Sequence, residues 1–272
     1  MGKCHIHDLE MIVTNNCNLD CAHCLRGKKN CINMSDDVIE ATLTQVRSVD
    51  TLNISGGEPT LALDTIKKII DYIIEKRIKI DDFTLTINGT IYSEELLELL
   101  DKISKYIGTD AVHGLIAISL DRYHLAEIVK NGIYEEFLEN ISRYSESKHF
   151  AFTREINPKL RLFREGNAEL LEPKLTVPLR PIKPVITYVN GGKLDIKNGL
   201  CNIGPFVTIS ACGTVTASNA SNEHQETIYN YGSVLNESIE DICIRNGSPI
   251  LKPKKYIKTI NRQLHKYLTY NK

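Results

Sequence analysis

Three cysteines stand within eight residues of one another near the start of the chain. Cys17, Cys21 and Cys24 follow the spacing C-x3-C-x2-C, and His23 lies between the last two. Thiolates are the usual protein ligands of iron–sulfur clusters, which most often have four of them. Three thiolates in one loop can hold three corners of an iron–sulfur cube and leave the fourth iron open. An open coordination position is typical of a catalytic metal site rather than a structural one.

A second polar group follows an apolar run at residues 51–55. Gly56, Gly57 and Glu58 stand there in the order Gly-Gly-Glu-Pro. Paired glycines let a backbone approach a ligand closely, and a carboxylate suits an ammonium group. On its own, this segment is typical of a turn more often than of a cofactor site.

A third polar group consists of Ser119 and Asp121, at the end of a later apolar run, together with Asn88. Ser119 and Asp121 alone are as typical of a turn after a strand as of a ligand contact. The three cysteines with His23 are likewise compatible with a structural zinc site or with buried thiols. The three groups occur in order after successive apolar runs, which favours one shared site over separate turns.

The elements that must position these groups alternate between strands and helices. Apolar runs rich in β-branched residues predict the strands. These are Leu9–Val13, Thr51–Ser55, Phe83–Ile87 and Leu115–Leu120, with weaker candidates at Phe150–Thr153 and Leu160–Phe163. Helices between them are predicted after the N-cap Ser35, along the isoleucine stripe Ile66–Ile74, and from Glu94 to about Ile107. On the first helix, Val38, Ile39, Leu43 and Val46 are expected to share one face.

Strands that alternate with helices indicate a parallel sheet in an α/β fold. The chain before residue 165 has room for five or six strands, which is fewer than an eight-stranded barrel needs. We therefore expect an open, partial (βα)6 TIM-like barrel. Its functional groups follow the carboxyl ends of the strands, where parallel α/β folds place their sites.

The sequence changes character after Gly166. Four prolines between Pro173 and Pro184 predict an extended linker without helix. Short alternating strands are expected at 185–189, 206–210 and 214–217, and a final helix at about 256–268. We expect a core domain at residues 1–168 and a small α+β annex at 169–272.

The composition excludes several classes of protein. The 33 basic and 34 acidic residues leave a net charge of −1, so general electrostatic binding of nucleic acid is not expected. No apolar run approaches the roughly 18 residues of a membrane span, and the first residues lack the apolar stretch of a signal peptide. A cytoplasmic protein is expected, in which the eight cysteines would be thiols or metal ligands rather than disulfides.

The cysteine loop resembles that of the radical S-adenosylmethionine (SAM) superfamily. The resemblance implies that Cys17, Cys21 and Cys24 bind a [4Fe-4S] cluster, that SAM occupies the open iron, and that reductive cleavage of SAM gives a 5′-deoxyadenosyl radical. The segment at Gly56, Gly57 and Glu58 looks like the part of that family that meets the SAM amino group. The resemblance covers about residues 9–165.

In the same family, the positions of Ser119 and Asp121 contact the SAM ribose and carboxylate, and the backbone at His23 meets the adenine. Asn88 is a weaker candidate for lining the site. The implied partners are a substrate and a one-electron reductant such as flavodoxin or ferredoxin; a membrane or nucleic-acid partner is not expected.

The later part of the chain has Glu165–Ala168, then Cys201, a hairpin with Gly213, and Tyr231–Leu235. With these segments the annex resembles the twitch or SPASM extension of radical SAM peptide maturases, in which cysteines bind auxiliary clusters. Ser218 stands where that family has a cysteine after the hairpin Gly213, and serine is a poor substitute for thiolate at iron. We therefore expect Cys201, Cys212 and Cys243 to be structural thiols; an auxiliary cluster on them is the less favoured alternative. Cys4 and Cys31 are also interpreted as structural.

The resemblance favours a radical SAM enzyme whose substrate is a peptide or protein side chain. Radical modification of a nucleoside or other small metabolite is the alternative. A metal-binding interaction module without catalysis is a third, less favoured hypothesis.

Overall fold

The computed structural model describes residues 2–108, 115–154 and 161–269. Its strands are β1 (Cys4–Ile12), β2 (Val46–Ser55), β3 (Lys79–Ile87), β4 (Ile116–Ser119), β5 (Phe150–Arg154), β6 (Leu162–Phe163), β7 (Thr176–Val177), β8 (Val185–Asn190), β9 (Lys193–Leu194), β10 (Leu200–Ile209), β11 (Thr214–Thr216) and β12 (Gly232–Ser233). Its α-helices are α1 (Asp36–Leu43), α2 (Leu63–Lys76), α3 (Glu94–Ile107), α4 (Arg122–Lys130), α5 (Tyr134–Ser145), α6 (Asn222–Glu226), α7 (Ile239–Arg245) and α8 (Pro253–Thr269).

The first five strands lie side by side in chain order and are parallel throughout. Each is joined to the next through one or two helices, as parallel neighbours require. The predicted α/β fold with a partial-barrel sheet and an annex is confirmed. The sixth strand, β6, pairs with β7 in a separate two-stranded sheet. Leu160, the predicted start of that strand, is outside the described residues.

Local signals in the sequence explain the first three helices. Ser35 caps α1 by accepting a hydrogen bond from the Val38 amide, and Ser93 caps α3 in the same way through Leu96. The isoleucine stripe of α2 is buried against the sheet. The prediction that places Val46 on the face of α1 is wrong, because that helix ends at Leu43 and Val46 instead begins β2.

The two faces of the sheet differ in polarity. The face covered by α1, α2 and α3 is apolar and carries the main core of the protein. On the other face, the Asn53 amide donates to Asp8 and the Thr84 hydroxyl donates to Asn53, which links β1, β2 and β3. Glu10 lies one step further along β1 and accepts from Ser55. Polar side chains therefore line the side of the sheet that the helices leave open.

The annex continues the same sheet. β10 pairs with β1 in parallel, from Cys4 opposite Cys201 to Met11 opposite Ile209. β8 and β11 then pair with β10 in the antiparallel sense. The boundary at residue 168 stays a prediction, but the parts on either side of it share one sheet.

The segment predicted as an extended linker without helix includes a short 3-10 helix at Pro173–Leu175. The first position of this helix tolerates proline because its amide has no helical partner.

Among the residues that the structure describes, none of the helices combines the length and apolar character that a bilayer crossing requires.

Candidate functional site

The cysteine loop, residues 17–24, follows the carboxyl end of β1. The Leu19 amide donates to Cys17 Sγ at 3.4 Å, and Asn88 Nδ2 lies 4.0 Å from the same sulfur. Hydrogen bonds of this kind stabilise a sulfur that carries negative charge and tune an iron–sulfur cluster. Cys21 and Leu19 are buried against Ile128, so the loop has an apolar anchor.

The thiols lie close enough to affect one another. Burial raises the pKa of Cys17 to about 11, and negative charge on Glu58 and Cys24 adds to the effect. Burial raises the pKa of Cys21 to about 12, reinforced by charge on Cys24 and Cys17. Without a bound cation these two thiols are therefore protonated at neutral pH, and metal binding must release their protons. Three converging thiols in a half-buried loop fit the donor set of a cluster with one open iron.

Gly56 and Gly57 pack against the backbone that leads into the cysteine loop. The Gly57 amide donates to Thr14 O at 2.7 Å, and the Glu58 amide donates to Asn16 O at 2.8 Å. A Cβ at Gly57 would lie 2.2 Å from Asn16 O, and one at Gly56 would lie 2.7 Å from Thr14 O. Glycine is therefore required at both positions because their backbone packs closely against the backbone of Thr14 and Asn16.

Glu58 joins the ends of β2 and β3. Its Oε1 accepts from the Thr60 amide at 3.0 Å and the Thr60 hydroxyl at 2.7 Å, and its Oε2 accepts from the Asn88 amide at 2.7 Å. The side chain is buried, which raises the pKa of the carboxyl. Asn88 in turn donates to Asn18 Oδ1 at 2.8 Å and so reaches the cysteine loop. Both oxygens of Glu58 are thus engaged within the chain.

His23 ties the loop to the start of α4. Its ring stacks on Tyr123 with centroids 4.8 Å apart, and its Nε2 lies 3.4 Å from Asp121 Oδ2. Asp121 is the N-cap of α4, and its Oδ2 also contacts His124 Nδ1 at 2.6 Å. Burial opposes ionisation of Asp121, but the two histidines outweigh it and hold the pKa of this carboxyl below its usual range. Ser119, at the end of β4, is half-buried beside this group.

Asn15, His124 and the side chain of His23 are not evident as site groups from the sequence, which indicates only the backbone of His23. Buried His23 Nδ1 and Asn15 Oδ1 have no hydrogen-bond partner among the described residues. Buried polar atoms are nearly always paired, so both are available to a ligand. His124 also belongs to the site, and its position three residues after an N-cap aspartate is a signal that could have located it.

The far side of the loop is held by a segment that begins at Glu165. The Asn167 amide donates to Cys24 O at 2.9 Å, and its side chain donates to Cys21 O at 3.0 Å. Gly166 has φ of 56°, and a Cβ there would lie 2.6 Å from Cys24 O. Glu165 accepts from His224 of the annex at 2.8 Å, which connects this segment to α6.

Arg26, just after the loop, joins the core to the annex. It donates to Glu10 Oε1 at 2.9 Å and to Ala220 O at 3.0 Å. Ser218, which stands at the position of a family cysteine, donates to Glu10 Oε2 at 3.2 Å. Burial disfavours the charged form of Glu10, yet Arg26 and three hydroxyl donors lower its pKa. Ser218 is therefore part of a hydrogen-bond network around a carboxylate.

The annex cysteines do not form one group. Cys201 lies at the beginning of β10, and Cys212 lies in the turn after that strand, about 25 Å further along. Cys243 lies on α7, near Cys201 and Cys4. The less favoured alternative of a cluster on Cys201, Cys212 and Cys243 is wrong in its ligand set, because the length of β10 separates Cys212 from the other two.

Comparison with known families identifies the core. The family model described as Radical SAM superfamily matches residues 11–154, which is more than half of the chain. The match spans the cysteine loop, the Gly56–Glu58 segment and Asp121.

Curated relatives match part of the chain. The "Probable GTP 3',8-cyclase" of Methanocaldococcus jannaschii is 34% identical over 147 residues, covering 51% of this chain and 45% of the relative. The "Radical SAM cyclopropyl synthase TigE" of Paramaledivibacter caminithermalis is 26% identical over 119 residues, covering 36% and 25%. The matched segment thus spans less than half the length of either relative.

Two solved structures are similar over most of this chain. "Native anSMEcpe with bound AdoMet and Cp18Cys peptide" has a TM-score of 0.45 at 13% identity, covering 88% of this chain and 80% of that one. Streptococcus suis SuiB bound to precursor peptide SuiA has a TM-score of 0.40 at 13% identity, covering 87% and 64%.

Proposed function

Because the chain belongs to the radical SAM superfamily, we propose that it abstracts hydrogen from a peptide or protein side chain, with Cys17, Cys21 and Cys24 as cluster ligands. It is an enzyme of that superfamily, whose cofactors are a [4Fe-4S] cluster and SAM. When bound, these two groups supply a carbon-centred radical that takes hydrogen from a substrate. A one-electron reductant is required, for which flavodoxin or ferredoxin is our proposal.

The observation that carries this proposal is the convergence of three segments on one loop. The Gly56–Glu58 backbone, the Asn88 amide and the Asp121–His124 group all contact residues 14–24. Each segment comes from the carboxyl end of a different parallel strand. Separate turns would have no reason to meet in this way, whereas a cofactor site between strand ends requires it.

We propose that SAM lies between these strand ends. The unpartnered Asn15 Oδ1 can accept a hydrogen bond from an ammonium group, as can backbone carbonyls of the glycine segment. Ser119 can donate or accept at a ribose, and the stacked rings of His23 and Tyr123 offer a flat surface beside an adenine. Asp121 orients His23 and His124 around this position.

The annex supports a substrate that enters from its side. A cavity is lined by Leu179–Pro184, Phe206, Thr208, Ser218 and Tyr231. Thr208 and Ser218 both donate to Glu10, so the cavity reaches the network that also holds Arg26 after the cysteine loop. Its apolar residues and neutral hydroxyls suit an uncharged side chain.

A nucleotide is the second candidate substrate. Arg180 and Lys183 also line the cavity, and cations of this kind suit a phosphate. The relative from Methanocaldococcus jannaschii is named for a reaction of GTP. Glu10 and Asp82 on the open face of the sheet oppose the approach of a triphosphate, because their like charges repel it.

SAM cleavage tests the proposed chemistry. The anaerobically reconstituted chain should form 5′-deoxyadenosine from SAM when dithionite supplies electrons. Cys17→Ala, Cys21→Ala and Cys24→Ala should each abolish it. Cys31→Ala is the matched control, because Cys31 is exposed and lies outside the loop. Deoxyadenosine at the wild-type rate in any of the three loop variants would contradict the assignment.

The two substrate classes are distinguished by which one is modified under the same reaction conditions. Short peptides encoded beside the gene are the first probe and GTP is the second, each analysed by mass spectrometry for a modified product. A peptide product supports the proposal. A GTP-derived product, with every peptide unchanged, would replace it with the nucleotide hypothesis.

A further inference from the structure

Three cysteines meet at the end of the sheet opposite to the cysteine loop. Cys4 begins β1, and Cys201 lies directly beside it on the parallel strand β10. Their exposed fractions are 3% and 2%. Side chains of directly paired residues on neighbouring strands point to the same face, so both sulfurs enter the same part of the core. Neither residue takes part in the site described above.

Helix α7 covers this pair and adds two more side chains. Glu240 and Cys243 are three residues apart and therefore share one face of the helix. A carboxylate oxygen of Glu240 and the sulfurs of Cys4 and Cys201 all lie within 4.8 Å of one another. Cys243 is 3% exposed, and its charge acts on Cys201.

The surrounding contacts hold these four side chains in place. The Ser238 side chain caps α7, and the Ile239 amide donates to Gln45 Oε1 at 2.7 Å. Gln45 O accepts from the Cys4 amide at 3.0 Å, so the start of the helix and the start of β1 are tied to one residue. The Tyr188 hydroxyl donates to Glu240 Oε1 at 2.5 Å. A hydrogen-bonded outer partner that orients a carboxylate is typical of metal ligands.

We propose that Cys4, Cys201 and Glu240, with Cys243 as fourth ligand, form a buried site for a single Zn²⁺ that fastens α7 to β1. Thiolate sulfur and carboxylate oxygen are both zinc ligands, and structural sites are four-coordinate and closed to solvent. Ligand atoms about 2.3 Å from a zinc ion lie about 4 Å apart in a tetrahedron. The ligand atoms of Cys4, Cys201 and Glu240 are already close to that spacing, whereas Cys243 lies outside this group of three and would have to move toward it.

A cation at this position would bind the thiolate forms of the cysteines and release their protons as it binds.

This site differs from the auxiliary cluster considered from the sequence. Cys4 of the core replaces Cys212 of the annex, and the proposed occupant is one ion. Its role is also different, because the sulfurs of Cys4 and Cys201 are buried in the core. It shares no residue with the cysteine loop, and of its proposed ligands Cys243 also lines the cavity proposed for the substrate.

The test uses the full chain with Cys17, Cys21 and Cys24 changed to Ala, so that cluster iron does not interfere. Purified with zinc and dialysed against a weak chelator, this protein should retain about one zinc per chain. Adding Cys4→Ser or Cys201→Ser should reduce the zinc content at least fivefold. Cys31→Ser and Cys212→Ser are the matched controls and should leave it unchanged.

Cobalt substitution keeps the proposal testable if a cysteine variant fails to fold. Co²⁺ added to the zinc-free protein should give the visible bands of tetrahedral cobalt and a near-ultraviolet thiolate-to-cobalt band. Glu240→Gln should shift the visible bands. The thiolate band also separates this site from the half-buried group His5, His7 and Asp50, which has no sulfur.

Three results would overturn the proposal. One is a protein that takes up neither zinc nor cobalt with thiolate ligation. Another is zinc that persists in a folded Cys4→Ser, Cys201→Ser double variant. The third is iron with inorganic sulfide bound by Cys4 and Cys201 in place of zinc. These three results would leave the proposed function untouched, because that function is tested by SAM cleavage in the chain with its loop cysteines intact.

Discussion

Asp121 has two roles at the residue scale, and one substitution separates them. Asparagine caps a helix about as well as aspartate, so Asp121→Asn should preserve α4 while it removes the charge that faces His23 and His124. We expect unchanged iron content and a roughly tenfold loss of SAM affinity, as befits one lost charge-assisted hydrogen bond. Anaerobic equilibrium dialysis with labelled SAM measures the affinity.

Asp37→Asn is the control for this prediction, because it changes an exposed aspartate in the first turn of α1. Loss of iron in Asp121→Asn would show that Asp121 supports the cluster loop. An unchanged SAM affinity would show that the carboxylate does not act on SAM.

Asp8 gives a prediction about pH. Burial, followed by charge on Glu10, raises its pKa to about 7, well above the usual value of an aspartate. The folded state therefore holds a proton that the unfolded chain has released, so this stabilisation is complete below about pH 4 and is lost as the pH rises through 7. Asp8→Asn removes the effect. Relative to the variant, the wild type should lose on the order of 2 kcal/mol between about pH 4 and 8, after allowance for partial solvent screening.

Urea unfolding of both proteins at the two pH values measures this difference. Parallel pH profiles for wild type and Asp8→Asn would show that Asp8 titrates normally in the folded chain.

At this scale the sequence predicts only what is local. The spacing of Cys17, Cys21 and Cys24 identifies the loop, because all three proposed ligands lie within eight residues. Asn167 donates to the same loop although it lies 146 residues after Cys21, and the segment Glu165–Ala168, which carries part of the annex resemblance, does not by itself predict this contact. The glycine pair is conspicuous in the sequence, although its tight contact is with the backbone at Thr14 and Asn16.

At the scale of elements, the cysteine loop depends on close packing against the segment at Gly166. Gly166 has φ of 56° and no room for a side chain, while Gly191 has φ of 54° and open space where a Cβ would stand. Alanine should cost about 1 kcal/mol at either position because of the left-handed backbone. Only Gly166→Ala should also displace the loop and lower the iron content after reconstitution.

Iron per chain and the urea midpoint, measured for both variants, test this difference. Equal iron in Gly166→Ala and Gly191→Ala would mean that the loop does not need the contact.

The elements themselves are predictable where one face of the chain is apolar. The stripes of α2 and α3 have helical period, and Ser93 caps the second of these helices, so their positions follow from the sequence. β1 begins at Cys4, well before the predicted start at Leu9. His5 and His7 alternate with buried neighbours in this part of the strand. Because both are polar, the sequence lacks the apolar run from which a strand is predicted. The parallel pairing of β10 with β1 is a contact between distant segments and leaves no local signal.

At the scale of the whole molecule, the shared sheet predicts that the core cannot be cut from the annex. Removing residues 169–272 would expose the β1 edge and the apolar core residues that the annex covers, including Ile6 and Leu9. A chain that ends at residue 168 should be insoluble or lack cooperative unfolding. Circular dichroism with thermal unfolding would reveal this, and a cooperative transition in the truncated chain would contradict it.

The contacts between the annex and the core show how the annex is joined to the candidate site, although position 218 is a serine and not a cysteine. Ser218 and Arg26 meet at Glu10, and Glu165 meets His224, so the annex holds both the loop and the open face of the sheet. This arrangement suits a cover that keeps water from a reactive intermediate.

The most direct test of the account is the iron site itself. The wild-type chain should be reconstituted anaerobically with iron and sulfide, reduced, and studied by electron paramagnetic resonance before and after SAM is added. We expect about four irons per chain and a spectrum that changes with SAM, because one iron is open. Cys21→Ala should lose both properties and Cys31→Ala should keep both. Zinc in place of iron at the cysteine loop, or a cluster spectrum that does not change when SAM is added, would contradict the claim that the loop holds a cluster with one iron open to SAM.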